Sequence, residues 1–470
     1  MENLNIDEIV QEVLRRLRER EARTKSSSAG APVSLDSLVA RARQAQKQYQ
    51  SMGLDVRRKV VENMRRIALD HADELGNMAV SETGLGKMPD KREKVILAAT
   101  KTPGVEDLVP RTFTGDHGLT LEELAPYGVV VSITPSTNPP STIVNNSISI
   151  VAAGNAVIFN PHPAAKQVSA RAAEYMRRAL ADAGAPSDVV QYVPEPTIET
   201  ANQLMYHPDV DLIVVTGGEG VVNAALKVPK KSVCAGPGNP PVIVDETADI
   251  PKAARDIVSG ASFDNGVLCT AEKEIFVVES VADELIRQMR AAGAFQLSPA
   301  DADRVTKMVI AEDKGGSGHR IPLVNKKFVG KNAAVIARAA GIDVPESTPL
   351  LFFESAWDHP LVMAEQLMPV MPVVRVKDYD EAKRLAIIAE HGYRHTFIMH
   401  SKNVERLSDM ARACGANIFV KNGPSYAGLG YKGEGFTTLT IAGTTGDGLT
   451  TARTFARPRR CTLVDYFRIV

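Results

Sequence analysis

Apolar residues in the first twenty positions recur with the period of a helix. Ile6, Ile9, Val10, Val13, Leu14 and Leu17 fall on one stripe. Asn5 is placed to cap it, Asp7 and Glu8 lie in the first turn, and Arg15, Arg16, Arg18 and Arg20 crowd the last. Those charges complement the helix dipole at both ends. Residues 21–34, rich in Ser, Ala and Gly, read as a flexible linker. A short tethered helix is marginal alone because nucleation is costly. Its stripe therefore packs back onto the chain or docks on another protein.

From 35 to about 99 the pattern is helical, with few breakers. Residues 111–124 read as a hairpin or extended excursion. Strand patterns follow at 128–133, 156–159, 189–193 and 212–215, separated by helical patterns at 141–153, 164–183 and 198–206. Short apolar strands alternating with helices argue for a parallel, doubly wound sheet. A second alternation runs from about 251 to 420. Residues 461–467, after an Arg-rich, Pro-containing stretch, are strand-like: an edge strand, or an edge that pairs with another subunit.

Composition narrows the class. At 470 residues the chain suggests two or three domains. A formal net charge of -1 gives no global drive toward nucleic acid or an anionic membrane. The four cysteines, Cys234, Cys269, Cys414 and Cys461, are scattered without a CxxC pair, which argues against a disulfide scaffold or a zinc site. No apolar run reaches the roughly 18 residues a membrane span needs, and no signal-peptide pattern opens the chain. A soluble intracellular protein is expected.

Two places carry candidate chemistry. The strand at 212–215 ends in Thr216-Gly217-Gly218-Glu219-Gly220, where a helical pattern begins at once. Small residues there would admit a phosphate to the helix N-terminus, and a plain strand-to-helix turn would use the same glycines. Cys269 follows a loop containing Asp264, Asn265 and Gly266, which favours access, whereas Cys414 and Cys461 fit small buried hydrophobes.

With its flanks, Cys269 resembles the nucleophile segment of the aldehyde dehydrogenase superfamily. Other stretches of 35–470 resemble that family's motifs in the required order. Ile133 to Pro139, containing Thr134, Pro135, Ser136 and Asn138, resembles the segment whose Asn helps form the oxyanion hole. Val157 to Pro163, with Asn160, His162 and Pro163, resembles the strand end that meets the adenine ribose. Thr216, Gly217 and Gly218, with Val221 beyond, resemble the pyrophosphate turn, and Ala235 and Gly236 also fall among the cofactor contacts. Glu365 to Pro369 resembles the segment whose Glu holds the nicotinamide ribose, with Leu367 beside it. The resemblance implies an α/β fold: a Rossmann-type cofactor domain (35–234), an α/β catalytic domain (235–425) and a small β oligomerisation element built from 111–124 and the C-terminal segment 426–470. It implies NAD, with NADP left open, and a homo-oligomer, dimer or tetramer.

One departure from the hydrolytic members changes the expected reaction. Where they carry a water-activating Glu, the matching stretch here reads Cys234-Ala235-Gly236-Pro237-Gly238-Asn239-Pro240, with Ala235 at the Glu position. Such bases contribute about 10²–10⁴-fold, whereas a thiol needs less help because its thiolate is reachable near neutral pH. The sequence thus resembles the CoA-acylating branch, in which coenzyme A takes the acyl group from Cys269. Asn138 and the Cys269 N–H would hold the oxyanion. His391 and His395 would contact CoA or take its proton, although structural loop histidines would look the same. The N-terminal helix resembles the encapsulation peptides of microcompartment enzymes acting on propionaldehyde or acetaldehyde. It therefore implies a shell-protein partner for residues 1–20 and a place inside a microcompartment in the bacterial cytoplasm. A hydrolytic enzyme with a base recruited from elsewhere, a non-catalytic protein of the same fold, and a membrane-surface role for the helix are the rival readings.

Overall fold

The computed structural model describes residues 34–311 and 321–470. The helix expected over 1–20, and the linker save Ser34, lie outside them. Ser34 caps the first described helix, its hydroxyl accepting from the Ser37 N–H at 3.1 Å.

The helical stretch is four helices, Leu35–Ser51, Gly53–Asp70, Ala72–Thr83 and Asp90–Lys101. The third ends at Gly84, which takes the left-handed conformation (φ 65) of a helix C-terminus. In the first, Leu38, Val39, Ala42, Ala45, Gln46 and Tyr49 are buried, the spacing of one helical face.

Seventeen strands are numbered along the described chain. β1 (Arg111–Gly115) and β2 (Gly118–Pro126) form the expected hairpin. The first parallel sheet contains β3 (Val129–Thr134), β4 (Ala156–Pro161), β5 (Val190–Tyr192), β6 (Leu212–Thr216) and β7 (Lys231–Ala235), in the order β5-β4-β3-β6-β7. β3 and β4 are buried along their whole length, as befits strands covered on both faces. The helices Gly53–Asp70, Ala72–Thr83, Pro139–Ala152 and Lys166–Asp182 cover one face. Leu35–Ser51, Ile198–Tyr206 and Glu219–Leu226 cover the other. Progression runs outward from β3 to β5, then returns to place β6 on the opposite side of β3. This reversal opens a crevice beyond the strands' C-terminal ends, where doubly wound folds bind ligands.

β7 leads through residues 236–240 into β8 (Pro241–Val244) and a second sheet. It adds β9 (Glu274–Val278), β10 (Phe295–Gln296), β11 (Leu351–Glu354), β12 (Val370–Val376), β13 (Thr396–His400) and β14 (Ile418–Lys421), ordered β10-β11-β12-β9-β8-β13-β14. Every pair in it is parallel. β15 (Ile441–Ala442) and β16 (Gly448–Leu449) form a small ribbon. β17 (Ala456–Val464) returns to pair antiparallel with β2.

Three expectations need correction. The C-terminal strand starts at Ala456, five residues before the expected 461, and ends before 465. Its Arg and Pro content disguised it, yet Pro458 is tolerated because β17 is an edge strand. Cys461, expected to be buried, is exposed on this strand, since no helix among the described residues covers that face. The helix expected from 141 begins at Pro139, proline being favoured in a first turn.

Candidate active site

Cys269 is half-buried and follows an unusual backbone. After the helix Ile250–Ser262, Asp264 (φ 50), Asn265 (φ 56) and Gly266 (φ 72) are consecutively left-handed. That conformation costs about 1–3 kcal/mol for a non-glycine residue and persists only where the surroundings enforce it. Here they do. The fully buried Asp264 carboxylate accepts from the Lys87 N–H and from the Lys91 ammonium, each at 2.8 Å, and from the Lys94 ammonium. The Asp264 N–H donates to Asp90 at 2.8 Å. The Asn265 amide donates to the Gly330 carbonyl at 2.9 Å and to Asn332 at 2.8 Å, and the buried Lys273 ammonium donates to the Gly266 carbonyl at 3.0 Å.

Asn138 sits where β3 passes through half-buried Pro135, Ser136 and Thr137 into the helix Pro139–Ala152. Its carbonyl accepts from the Thr142 N–H at 3.0 Å, while its side chain makes no capping bond. Instead Asn138 Oδ1 accepts from Lys94 Nζ at 2.6 Å. An ammonium only donates, so the amide oxygen must face it and the NH2 must face away.

The other expected cofactor residues gather at the C-terminal ends of the first sheet. At the end of β3, the Thr134 hydroxyl is buried with no hydrogen-bond partner among the described residues. At the end of β4, Asn160 is buried and its Oδ1 accepts from the Thr200 hydroxyl at 2.7 Å, while His162 and Pro163 are exposed beyond it. At the end of β6, Thr216 shares a 2.8 Å hydrogen bond with Thr440. The Gly217 N–H donates to the Ala235 carbonyl at 3.1 Å, joining the turn to the end of β7. A Cβ on Gly217 would lie 2.9 Å from Val221 Cγ1, whereas Gly218 and Gly220 face open space at the N-terminus of the helix Glu219–Leu226. Gly236 packs against Thr444; a Cβ there would lie 3.0 Å from its hydroxyl. An open, glycine-lined helix start and an unpartnered buried hydroxyl fit a dinucleotide phosphate and its neighbouring groups.

Residues from the second sheet close on Cys269. A Cβ on Gly238 would lie 2.9 Å from both the Cys269 carbonyl oxygen and His395 Cγ. A Cβ on Gly266 would lie 3.1 Å from the Met368 backbone, and the Gly330 N–H donates to the Leu367 carbonyl at 2.9 Å. These contacts bring the Glu365-to-Pro369 stretch onto the nucleophile segment. Burial pushes the Cys269 thiol up to about 12, helped by the Glu365 charge and opposed by Lys273 and Lys94. The cysteine is therefore a thiol at neutral pH. Burial also raises Glu365 to about 7, against the pull of Lys273 and the Gly238 N–H.

The two histidines differ. Buried His395 shares a 2.9 Å hydrogen bond between Nδ1 and Thr396, and burial lowers it to about 4, with Lys273 contributing. It is neutral and weakly basic. His391, half-buried and left-handed (φ 58), contacts the Met363 carbonyl through Nε2 at 2.8 Å. Since a carbonyl only accepts, Nε2 carries the proton and Nδ1 is the basic nitrogen.

Sequence reasoning missed Lys91, Lys94, Lys273, Gly238 and Thr440. A signal existed for the first two: Lys91 and Lys94 share a helical face with buried Val95 and Ala98, an unusual position for lysine.

The aldehyde dehydrogenase family matches residues 18–428. The acetylating acetaldehyde dehydrogenase of Salmonella typhimurium is 48% identical over the whole of both chains. A propionaldehyde dehydrogenase from the fucose-utilisation bacterial microcompartment of Clostridium phytofermentans is 43% identical, with a TM-score of 0.89 over 92% of this chain and 98% of that one. The propionaldehyde dehydrogenase of Rhodopseudomonas palustris, solved with bound CoA and an acylated cysteine, is 46% identical, with a TM-score of 0.89 over 93% of this chain and 99% of the other. Together with a half-buried cysteine at the meeting of two parallel sheets, these likenesses place the chain in the aldehyde dehydrogenase family.

Proposed function

We propose that the protein oxidises a short-chain aldehyde, propionaldehyde in preference to acetaldehyde, and passes the acyl group to coenzyme A. Cys269 releases its proton to solvent and attacks the aldehyde carbon as the thiolate, so that the carbonyl oxygen becomes the anion of a thiohemiacetal. The Asn138 NH2 and the Cys269 N–H receive the negative charge that develops on oxygen. NAD, when bound, supplies the hydride acceptor. Thr216, Gly217 and Gly218 would seat its pyrophosphate, Asn160 would meet one ribose and Glu365 the other. Loss of hydride leaves a thioester on Cys269. His391 Nδ1 takes the CoA thiol proton, and the CoA sulfur displaces the Cys269 sulfur, releasing acyl-CoA and a free thiol. Two chemical stages on one sulfur predict ping-pong kinetics.

The observation that carries this reading is the composition of the strand end touching the nucleophile. Residues 231–241, which include Ala235 and the Gly238 that meets Cys269, contain no carboxylate. Water attack on the thioester therefore lacks a base there, and a thiol acceptor is favoured. The microcompartment origin of one structural relative and the amphipathic pattern of residues 1–20 support a shell-protein partner for that segment. The exposed strand β17 supports assembly into a dimer or tetramer.

The test is dinucleotide reduction with propionaldehyde, with and without CoA, followed by product identification. CoA-dependent formation of propionyl-CoA, lost in Cys269→Ala while dinucleotide binding persists, is the expected result. Equal turnover without CoA, yielding propionate, would make the enzyme hydrolytic, with Glu365 the carboxylate to suspect. Deleting residues 1–20 should leave activity intact and abolish co-purification with shell protein; lost activity would make the segment part of the fold.

A further inference from the structure

We propose that Lys94 is a positioning residue for the oxyanion site: its ammonium fixes the Asn138 amide in the one orientation that can donate. The proposal rests on the reading of Asn138 as oxyanion donor and adds what makes that donor competent.

The ammonium has three N–H bonds, and the structure gives it three acceptors. They are Asn138 Oδ1 at 2.6 Å, the Val267 carbonyl at 3.2 Å and the Asp264 carboxylate. The side chain is 2% exposed, so water competes little for these bonds. Two of the acceptors belong to the two segments that frame the oxyanion. Asn138 follows β3, and Val267 lies two residues before Cys269. One rigid centre therefore sets both the amide's orientation and its place relative to the nucleophile segment.

An asparagine amide has no strong steric preference between its two flipped states, since oxygen and NH2 are nearly the same size. In the wrong state its oxygen would face the developing negative charge. Only a fixed partner prevents this, and a donor that cannot accept is the most selective kind. The Asn138 NH2 has a weak internal contact, to the Thr137 hydroxyl at 3.4 Å. That contact leaves the ammonium as the dominant restraint.

The bland alternative makes Lys94 a counter-ion for Asp264. That carboxylate already has the Lys91 ammonium at 2.8 Å and the Lys87 N–H at 2.8 Å. Burial pushes Lys91 down to about 8, which still leaves it a cation at neutral pH. Asp264 is therefore neutralised without Lys94, and a second buried cation costs desolvation that needs another reason. Fixing the amide is that reason.

The experiment is a double-mutant cycle on hydride-transfer rate in single turnover of the full-length enzyme with propionaldehyde, with dinucleotide affinity measured alongside. Asn138→Ala should slow the step by about 10²–10³-fold, the usual cost of one oxyanion donor. Lys94→Met should slow it by about 10–10²-fold in the wild-type background, because the amide is then oriented only part of the time. In the Asn138→Ala background Lys94→Met should cost less than about threefold, there being no amide left to orient. Dinucleotide affinity should stay within about threefold of wild type throughout. An equal loss from Lys94→Met in both backgrounds would make Lys94 merely structural and overturn the proposal, as would no loss in the wild-type background. If Asn138→Ala alone leaves the rate unchanged, the oxyanion assignment of Asn138 falls first and the role of Lys94 with it. Should Lys94→Met fail to accumulate, Lys94→Gln keeps an uncharged NH2 donor, and the same dependence on Asn138 is required of it.

Discussion

Gly238 offers a direct way to move the nucleophile without touching it. Its backbone is not left-handed, so alanine is conformationally allowed and any effect must come from contacts. The added Cβ would stand 2.9 Å from the Cys269 carbonyl oxygen, 2.9 Å from His395 Cγ and 3.2 Å from His395 Nδ1. Carbon contacts are comfortable at roughly 3.5–4.0 Å, so something must yield by about half an ångström. His395 cannot easily do so, being buried and bonded to Thr396. The Cys269 carbonyl then shifts, and the sulfur and backbone N–H shift with it. Overpacking of this kind costs about 1–3 kcal/mol of stability. A misplacement of about 1 Å costs roughly 10²-fold in rate, so half of that corresponds to about tenfold. Gly238→Ala should therefore lower kcat about tenfold in a folded protein whose dinucleotide Kd is nearly unchanged. Single-turnover absorbance at 340 nm and thermal unfolding on the same preparation separate the two effects. Wild-type turnover would refute the reasoning, because it would mean that this contact does not set the position of Cys269.

Two further outcomes are expected. Glu365, raised to about 7 by burial, is largely protonated at pH 6 and ionised at pH 8, and only the carboxylate accepts fully from ribose hydroxyls. Dinucleotide affinity should rise about fivefold across that window, the difference between neutral and charge-assisted bonds, and Glu365→Gln should flatten the slope in a calorimetric titration. A slope that survives the substitution would assign it to another group. His391→Ala should leave acylation of Cys269 within about threefold while slowing CoA-dependent release about 10²-fold. Equal losses in both half-reactions, followed by rapid quench, would remove His391 from the thiol-transfer step.

The fold class is legible in local pattern alone, and so is the list of residues that could carry chemistry. The alternation of apolar strands and helices from β3 to β7 is a local pattern, and strands buried on both faces have few other ways to satisfy it. Cys269 stands out as the candidate nucleophile because it follows a turn whose Asp, Asn and Gly tolerate left-handed backbone. The helix beginning at Pro139, which sequence placed two residues late, differed only in its boundary. What tertiary structure decided was how these groups are held. Lys94 and Asn138 are 44 positions apart, and Lys94 and Asp264 are 170 apart, so no periodicity reports their meeting. Thr216 and Thr440 are separated by 224. Likewise, Cys461 has the type of a core residue, and only its place on a sheet face that no described helix covers puts it in solvent. Residue type and spacing are local properties, whereas burial, amide orientation and shifted protonation arise when distant segments share one dry volume. That volume exists only once both sheets have closed around Cys269.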